Sequence, residues 1–398
     1  PGPWSGNTAA QPDESAFSRS EDNGDNWNQI SLIDTKISRL WDYASSADNS
    51  VLYLASVNNA TYFNSLWRTK ETQTEPLTER WERVLCFFGG ANIILRPTPE
   101  GAEKERIFFA LRGTRDVQYS DNKGQNWTKL SRCPEVTDLA VVSDKVLYVL
   151  DDEMLNNCSW NSEKWGGVWE WKKDIDTGLK SGSAVIAYDT NNVLVSEKDG
   201  DGRIAYSSDG GETFNLTLPL PRFGNEMYFI LDEEFSSNGF VYAASDGSLS
   251  DVYRWTIGGA REWKELNRPT AVTTGLCGLI QKGGVLYGAF QLQEGIARLL
   301  IPHLETIRPS DWDTLPCPDV INFTAKLGSL KTTVKENVEI WVIDYQDYFN
   351  GNVSRYDNKT YYDMGRLWVY TDAFSLETPW ASSPPPPATD SIPCDVCT

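Results

Sequence analysis

A chain of 398 residues that is 40% apolar is long enough to bury a substantial core. Its formal net charge of −20, from 36 basic and 56 acidic residues with no basic run, repels phosphate backbones and anionic membranes, so nucleic acid is excluded as the expected partner. No apolar run approaches the ~20 residues that cross a bilayer, and 16 Trp and 17 Tyr against 3 Met favour strands over helices.

The chain opens at Pro1 rather than Met, which suggests a processed or partial chain, and residues 1–14 read as an extended N-terminal segment. The first motif is SEDNGDNW, in which Ser20, Asp22, Gly24 and Trp27 stand at fixed spacing. It returns as SDNKGQNW, with Ser120, Asn122, Gly124 and Trp127, and as SSDGGETF, with Ser207, Asp209, Gly211 and Phe214. The chemistry suits a hairpin turn: the acid accepts turn amides, the serine hydroxyl caps the entering chain, glycine supplies positive φ, and the aromatic buries itself between sheets.

Between these motifs run short apolar stretches bounded by turn residues: VLYLAS from Val51, IFFALR from Ile107, VLYVLD from Val146, NVLVSE from Asn192, FVYAAS from Phe240, VLYGAF from Val285 and VEIWVI from Val338. Aromatics recur in phase at Trp27, Trp81, Trp127, Trp171, Phe214, Trp263, Trp312 and Trp380, a mean spacing of about 50 residues. Each unit supplies an apolar strand, a second strand, a tight turn and an anchoring ring. That pattern predicts an all-β fold, a β-propeller of four-stranded antiparallel blades, over residues 15–381. Seven blades are expected, with eight the alternative. We expect the N-terminal hairpin to complete the blade begun near Val338, although GRLWVYTD, from Gly365 to Asp372, offers that blade a strand of its own.

The repeated motif resembles the Asp-box, or BNR repeat, and the resemblance covers most of the chain. In that superfamily the motif lies on the rim away from the active site, so the resemblance implies a structural role for Asp22 and Asp209. Sialidases of this type need an arginine cluster, a tyrosine nucleophile with a glutamate, and an Arg-Ile-Pro element that is absent here; LRPTP at Leu95 and IRPS at Ile307 are poor imitations. Xyloglucan-cleaving relatives use two facing propellers, and this chain holds one. Sortilin-type receptor domains have ten blades and a cysteine-dense module, which the chain does not match. Asp-box assembly factors of plants and bacteria are smaller and share only the repeat.

No catalytic residue is assigned. A glycosidase needs two carboxylates about 5 to 10 Å apart, and 56 acids do not single out a pair. His303 is the sole histidine and reads as an ordinary structural or surface residue. Asp199 and Asp201, in EKDGDGRIAY, fit a hairpin turn and form a weak calcium candidate, so no cofactor is expected beyond that. Two aromatic segments are candidate binding loops. NNCSWNSEKWGGVWEW supplies Trp160, Trp165 and Trp169 for stacking, with ordinary blade packing the commoner use of such rings, and the stretch from Asp344 to Gly365 supplies Tyr345, Asp347, Tyr348, Tyr356 and Tyr361.

Seven Asn-x-Ser/Thr sequons begin at Asn59, Asn126, Asn157, Asn215, Asn322, Asn352 and Asn358, which points to an extracellular or cell-surface glycoprotein. The seven cysteines are Cys86, Cys133, Cys158, Cys277, Cys317, Cys394 and Cys397; their scatter fits disulfides or buried thiols. Residues 382–398, with four consecutive prolines and a terminal Cys-x-x-Cys, read as a linker or stalk. The expected function is a non-catalytic module for binding, adhesion or assembly with protein or glycan partners, including self-assembly into a coat or filament. The alternative is a glycoside hydrolase or lyase acting on a polysaccharide.

Overall fold

A computed structural model of the chain describes residues 39–315, apart from breaks at 48–49, 59–61, 70–80, 90–91, 100, 165–166, 260–261, 271 and 292–294. Outside that span it describes 18–19, 28–29, 330–334, 338–344, 355–356, 359–360 and 366–372. The first motif from Ser20 to Trp27, Trp165, Trp380, Cys317, Cys394, Cys397 and the proline-rich tail lie outside the described residues.

A hairpin of β1 (Ser18–Arg19) and β2 (Asn28–Gln29) comes first. Blade 1 follows as β3 (Arg39–Ser45), β4 (Leu52–Asn58), β5 (Phe63–Thr69) and β6 (Trp81–Phe88), and blade 2 as β7 (Ile93–Pro97), β8 (Ile107–Leu111), β9 (Asp116–Ser120) and β10 (Thr128–Lys129). Blade 3 is β11 (Asp138–Val141), β12 (Val146–Asp151), β13 (Met154–Asn161) and β14 (Val168–Asp176); blade 4 is β15 (Gly182–Ala187), β16 (Val193–Glu197), β17 (Ile204–Ser207) and β18 (Asn215–Leu216). Blade 5 comprises β19 (Met227–Leu231), β20 (Phe240–Ser245), β21 (Tyr253–Thr256) and β22 (Lys264–Glu265), with the short helix α1 (Phe235–Asn238) between its first two strands. Blade 6 comprises β23 (Leu276–Lys282), β24 (Val285–Phe290), β25 (Gly295–Leu299) and β26 (Trp312–Thr314). In blade 7, β27 (Lys331–Val334) and β28 (Val338–Asp344) are followed by the hairpin β29 (Arg355–Tyr356) and β30 (Lys359–Thr360), then β31 (Arg366–Asp372).

Blades 1 to 6 are four-stranded antiparallel meanders, and blade 7 has three strands among the described residues. First strands stand beside one another from blade 1 to blade 4 and from blade 5 to blade 7, and β19 of blade 5 stands beside β16 of blade 4. The protein is a β-propeller of seven blades, six four-stranded and one three-stranded among the described residues.

The seven apolar runs of the sequence are the second strands, and their burial explains why they read as unbroken apolar segments. A strand buried on both faces has no polar side to alternate with. On β8, Ile107, Phe109 and Leu111 pack toward blade 1, whereas Phe108 and Ala110 pack toward blade 3. On β12, Leu147 and Val149 face blade 2 while Tyr148 and Leu150 face blade 4. The core is therefore a series of apolar layers, each lying in a seam between blades.

The phased aromatics occupy those seams. Trp127 sits edge-on to Phe109 at 5.0 Å between blades 1 and 2, and Phe214, Trp263 and Trp312 join the layers on the side of blades 3, 4 and 5. Three of the rings also reach back to the preceding blade. The indole N–H of Trp171 donates to the Ser131 carbonyl at 2.9 Å, that of Trp263 to Leu218 at 2.9 Å, and that of Trp312 to Leu266 at 3.0 Å.

Closure departs from the sequence-based expectation. Among the described residues the N-terminal hairpin pairs only within itself, and the third position of blade 7 is taken by β31, whose seven residues from Arg366 to Asp372 pair with β28. Among the described residues no strand is shared across the junction of blades 7 and 1. That seam closes by packing: Tyr43 donates to the Trp341 carbonyl at 3.2 Å, their rings lie 5.8 Å apart, and Leu40, Leu54 and Trp67 share one apolar layer with Val338, Ile340 and Val342.

The wedge role of the rings sets an expected result. Trp312→Ala should lower unfolding free energy by about 3–5 kcal/mol, and Trp312→Phe, which keeps the ring but strands the Leu266 carbonyl, by roughly 1–2 kcal/mol. Urea unfolding of both variants separates the two terms; equal losses would contradict the account.

Candidate functional site

Antiparallel meanders put the first-to-second and third-to-fourth turns on one rim, and the second-to-third turns and blade-to-blade links on the other. The two described motif turns lie on the first rim, between β9 and β10 and between β17 and β18. In blade 4, the Ser207 hydroxyl donates to Asp209 Oδ1 at 2.7 Å and accepts the Gly211 amide at 2.8 Å. Asp209 Oδ1 accepts the amides of Glu212 (3.0 Å) and Thr213 (2.9 Å). In blade 2, Ser120 accepts the Gly124 amide at 2.7 Å, and Asn122 Oδ1 accepts that of Asn126 at 2.9 Å. Gly124 and Gly211 have φ of +86° and +81°, and a Cβ on Gly124 would meet Val84 at 3.0 Å, so glycine lets the turn rest on the neighbouring blade. In these two described copies the serine and the Asn122 or Asp209 side chain bond within the turn and close the hairpin.

The aromatic segment of blade 3 is a hairpin within the sheet rather than an inserted binding loop. Trp160 and Trp169 are cross-strand partners with rings 5.5 Å apart. Trp169 packs edge-on to Phe108 and Tyr119 of blade 2, and the Arg106 guanidinium lies 4.8 Å from the Tyr119 ring and 5.9 Å from that of Trp169. Trp169 thus fills the seam between blades 2 and 3. Of the second aromatic segment, Tyr345, Asp347, Tyr348 and Tyr361 lie outside the described residues, as does the Tyr356 side chain.

Asp199 and Asp201 stand in the β16–β17 turn. Asp199 has φ of +51°, and Asp201 pairs with Lys180 at 3.2 Å. Glu197 closes the turn by accepting the amides of Asp201 (2.9 Å) and Arg203 (3.2 Å). Among the described residues no group of three or more His, Cys, Asp or Glu is placed to hold a metal ion. His303 is exposed.

Sequence reasoning missed the buried carboxylates. Asp42 of blade 1 accepts the Leu95 amide of blade 2 at 2.9 Å, and Asp138 of blade 3 accepts the Val185 amide of blade 4 at 2.9 Å. Arg96 bridges both acids at 3.1 and 2.9 Å; burial opposes its charge, but Asp138 and Asp42 together raise its pKa. Asp232 accepts the Tyr242 hydroxyl (2.8 Å) and the Gln281 amide of blade 6 (2.9 Å). Asp372 of blade 7 accepts Arg298 at 2.6 and 2.8 Å and the Tyr287 hydroxyl at 2.9 Å, all in the interior. An acid inside an otherwise apolar strand, as in RLWDYAS, was the available signal.

On the second rim, one cluster brings together two arginines, two acids and a tyrosine. Arg222 and Arg268 each donate to the Asp251 carboxylate, at 2.9 and 2.8 Å, and to the Leu249 carbonyl, at 3.1 and 2.7 Å. Burial, then the Asp251 carboxylate to which it hydrogen-bonds, pushes the Glu265 carboxyl up; burial and Asp251 push the Tyr253 phenol up to about 12. Both arginines already hold a protein carboxylate. The two acids touch each other, closer than the separation that flanks a glycosidic bond. What the cluster does is fix the loop that presents Leu249, an exposed leucine at φ +61°.

A second exposed feature of that rim is the aromatic corner of blade 1. Tyr62 is held at φ +58° by a bond from its amide to Asn58 (2.7 Å) and by the Gly89 amide on its carbonyl (2.8 Å). Tyr62 is 58% and Phe88 72% exposed, and Phe88 lies edge-on to Phe63 at 5.8 Å. On the first rim, a shallow cleft of about 500 Å3 is lined by Lys104, Glu105, Asp121, Asn122, Lys123 and Gln125.

The sequons divide by environment. Asn126 and Asn215 are exposed on the motif rim, whereas Asn157 lies in β13, between β12 and β14, and hydrogen-bonds the Tyr148 side chain. Asn157 is half-buried and engaged by Tyr148, so it is less accessible to a glycan than the two rim sequons. Asn59, Asn322, Asn352 and Asn358 lie outside the described residues. Cys133, Cys158 and Cys277 are buried in the blades, and Cys86 is an exposed thiol on β6.

No protein-family model matches the sequence, and no curated protein sequence matches it either. Solved structures match it in fold. The WD40 repeats of RRP9 are 11% identical and cover 78% of this chain and 88% of their own, with a TM-score of 0.52. YCF48 from Cyanidioschyzon merolae is 12% identical over 80% of this chain and 96% of its own, with a TM-score of 0.54. Hydrazine synthase of Kuenenia stuttgartiensis is 11% identical over 68% of this chain and 78% of its own, with a TM-score of 0.50. At such identities the likeness is one of fold. One of the three is named as an enzyme, so the shared fold does not decide whether the chain is a catalyst.

Hydrogen bonds from the Thr213 and Ser207 hydroxyls, and from turn amides, hold the Asp209 carboxyl well below the usual carboxylate range. A folded value below the unfolded ~3.9 means that the turn's charged bonds persist above that pH and are lost only as the pH falls through the depressed value. The Glu212 and Thr213 amide resonances should therefore titrate together far below ~3.9, and the Asn122 turn should not titrate. A midpoint at the ordinary aspartate value would contradict the geometry.

Proposed function

We propose that the chain is a non-catalytic Asp-box propeller of an extracellular or cell-surface glycoprotein, acting as a binding and assembly module for protein or glycan partners. The observation that carries this reading is how the buried carboxylates are spent. Asp42, Asp138, Asp232 and Asp372 hold blade to blade, and Asp251 holds a loop through two arginines. General acid–base chemistry needs carboxylates that face a substrate across a gap.

The Asp-box assignment is supported by the matching bonds of the Ser120 and Ser207 turns and by their common place in the blade. Localisation outside the cell is supported by the exposed sequons at Asn126 and Asn215. Binding is supported by the second rim, where a clamped loop presents Leu249 and a constrained corner presents Tyr62 and Phe88. Rigid aromatic and aliphatic groups held on short loops lose little entropy when a partner covers them.

Two measurements test this function. The purified native glycoprotein should release no product from a panel of polysaccharides; turnover abolished by changing one carboxylate would establish the enzyme reading instead. Peptide mapping before and after glycosidase treatment should find glycan on Asn126 and Asn215 and none on Asn157. Bare Asn126 and Asn215 in protein from its native source would count against the extracellular assignment.

A further inference from the structure

The blades end in two different ways. The outer strands of blades 2, 4, 5 and 6 are two or three residues long, which leaves little edge for another chain to pair with. Those of blades 1 and 3 run to eight and nine residues. The edge of blade 3 is protected by charge, since Glu170, Lys172, Asp174 and Asp176 are spaced along β14. The second half of β6 has no such protection: Val84-Leu85-Cys86-Phe87-Phe88 carries no charge, and Cys86 and Phe88 are exposed. Among the described residues the hairpin strand β2 stands beside β6 without pairing with it, and Cys86 and Phe88 remain exposed.

We propose that this strip is a homotypic interface, in which the β6 edges of two copies pair antiparallel about a two-fold axis near Cys86. Three features favour a second copy. An antiparallel edge is complementary to itself under a two-fold, so one strip supplies both sides. Two chains each carrying −20 repel one another, and an uncharged strip is where they can meet with least repulsion. The constrained corner of Tyr62, Phe63 and Phe88 adjoins the strip and adds apolar area to main-chain pairing. Centring the register on Cys86 sets Val84 opposite the partner's Phe88 and brings the two Cys86 Cα atoms to about 4.5–5.5 Å, within reach of a disulfide.

The proposal deepens the assembly reading by naming one partner, and it can fail while binding to other proteins or glycans persists. The test uses the full chain with Cys317, Cys394 and Cys397 changed to Ser, leaving Cys86 as the exposed thiol among the described residues. Sedimentation should show a concentration-dependent dimer that tightens as salt screens the like charges. Diamide, which accepts the two electrons and two protons released when two thiols join, should trap it as a Cys86–Cys86 disulfide. Phe88→Lys should weaken the dimer at least roughly tenfold, with the far-UV spectrum and melting unchanged. Leu85→Lys serves as a second variant if it folds; Phe88, being solvent-exposed, suffices alone.

A chain that remains monomeric in high salt, or a Phe88→Lys protein that dimerises as the parent does, overturns the proposal. So does a dimer that forms only after residues 1–31 are removed, because the strip would then belong to the chain's own N-terminal segment. The glycan-mapping and polysaccharide assays on the parent protein, which leave the Tyr62 and Phe88 corner intact, separate this failure from failure of the module reading.

Discussion

The seam between adjacent sheets is the contact on which the rest of this structure depends. No blade has a wet face and a dry face; each second strand sends alternate side chains into two different seams, so a blade removed from its neighbours would expose apolar surface on both sides. Burial supplies the drive but not the angle. The angle comes from groups with direction: an indole that reaches back to the carbonyl of the preceding blade, and a carboxylate that takes an amide or guanidinium from the next. The same two devices recur around the ring with different residues in the same places.

This economy bears on function. An acid buried between blades stabilises only while its partners stay in place, and removing one partner leaves an uncompensated charge. Such groups are poor candidates for chemistry that requires them to gain and lose protons. Functional capacity is therefore left to the loops, and on the second rim these are stiffened by the Arg222–Asp251–Arg268 clamp and by the strained backbone at Tyr62.

How much of this could be read from the sequence follows from what each feature requires. The seven apolar runs were legible because double-sided burial leaves most positions of a strand apolar, and the phased aromatics because each repeat needs a ring at the same place. The Ser120 and Ser207 turns were legible because their bonds are local. Asp42, Asp138 and Asp372 were hidden, since their partners lie in other blades and no spacing rule ties them together. For Trp160 and Trp169 the sequence leaves ordinary blade packing and surface stacking both open; the register of β13 on β14 decides it, placing the rings against each other and Trp169 against blade 2. Closure was misread for a related reason: whether β31 or the N-terminal hairpin completes blade 7 depends on competition between two strands that both suit the site.

If the seams act together, the ring has one stability rather than seven. Native-state hydrogen exchange of the second-strand amides tests this most directly. The account predicts that amides of β4, β8, β12, β16, β20, β24 and β28 share one slowest class and one dependence on denaturant, including those flanking the Tyr43–Trp341 junction. Independent opening of blade 7, with β28 amides exchanging far faster than those of β8 and β12 under the same conditions, would contradict it.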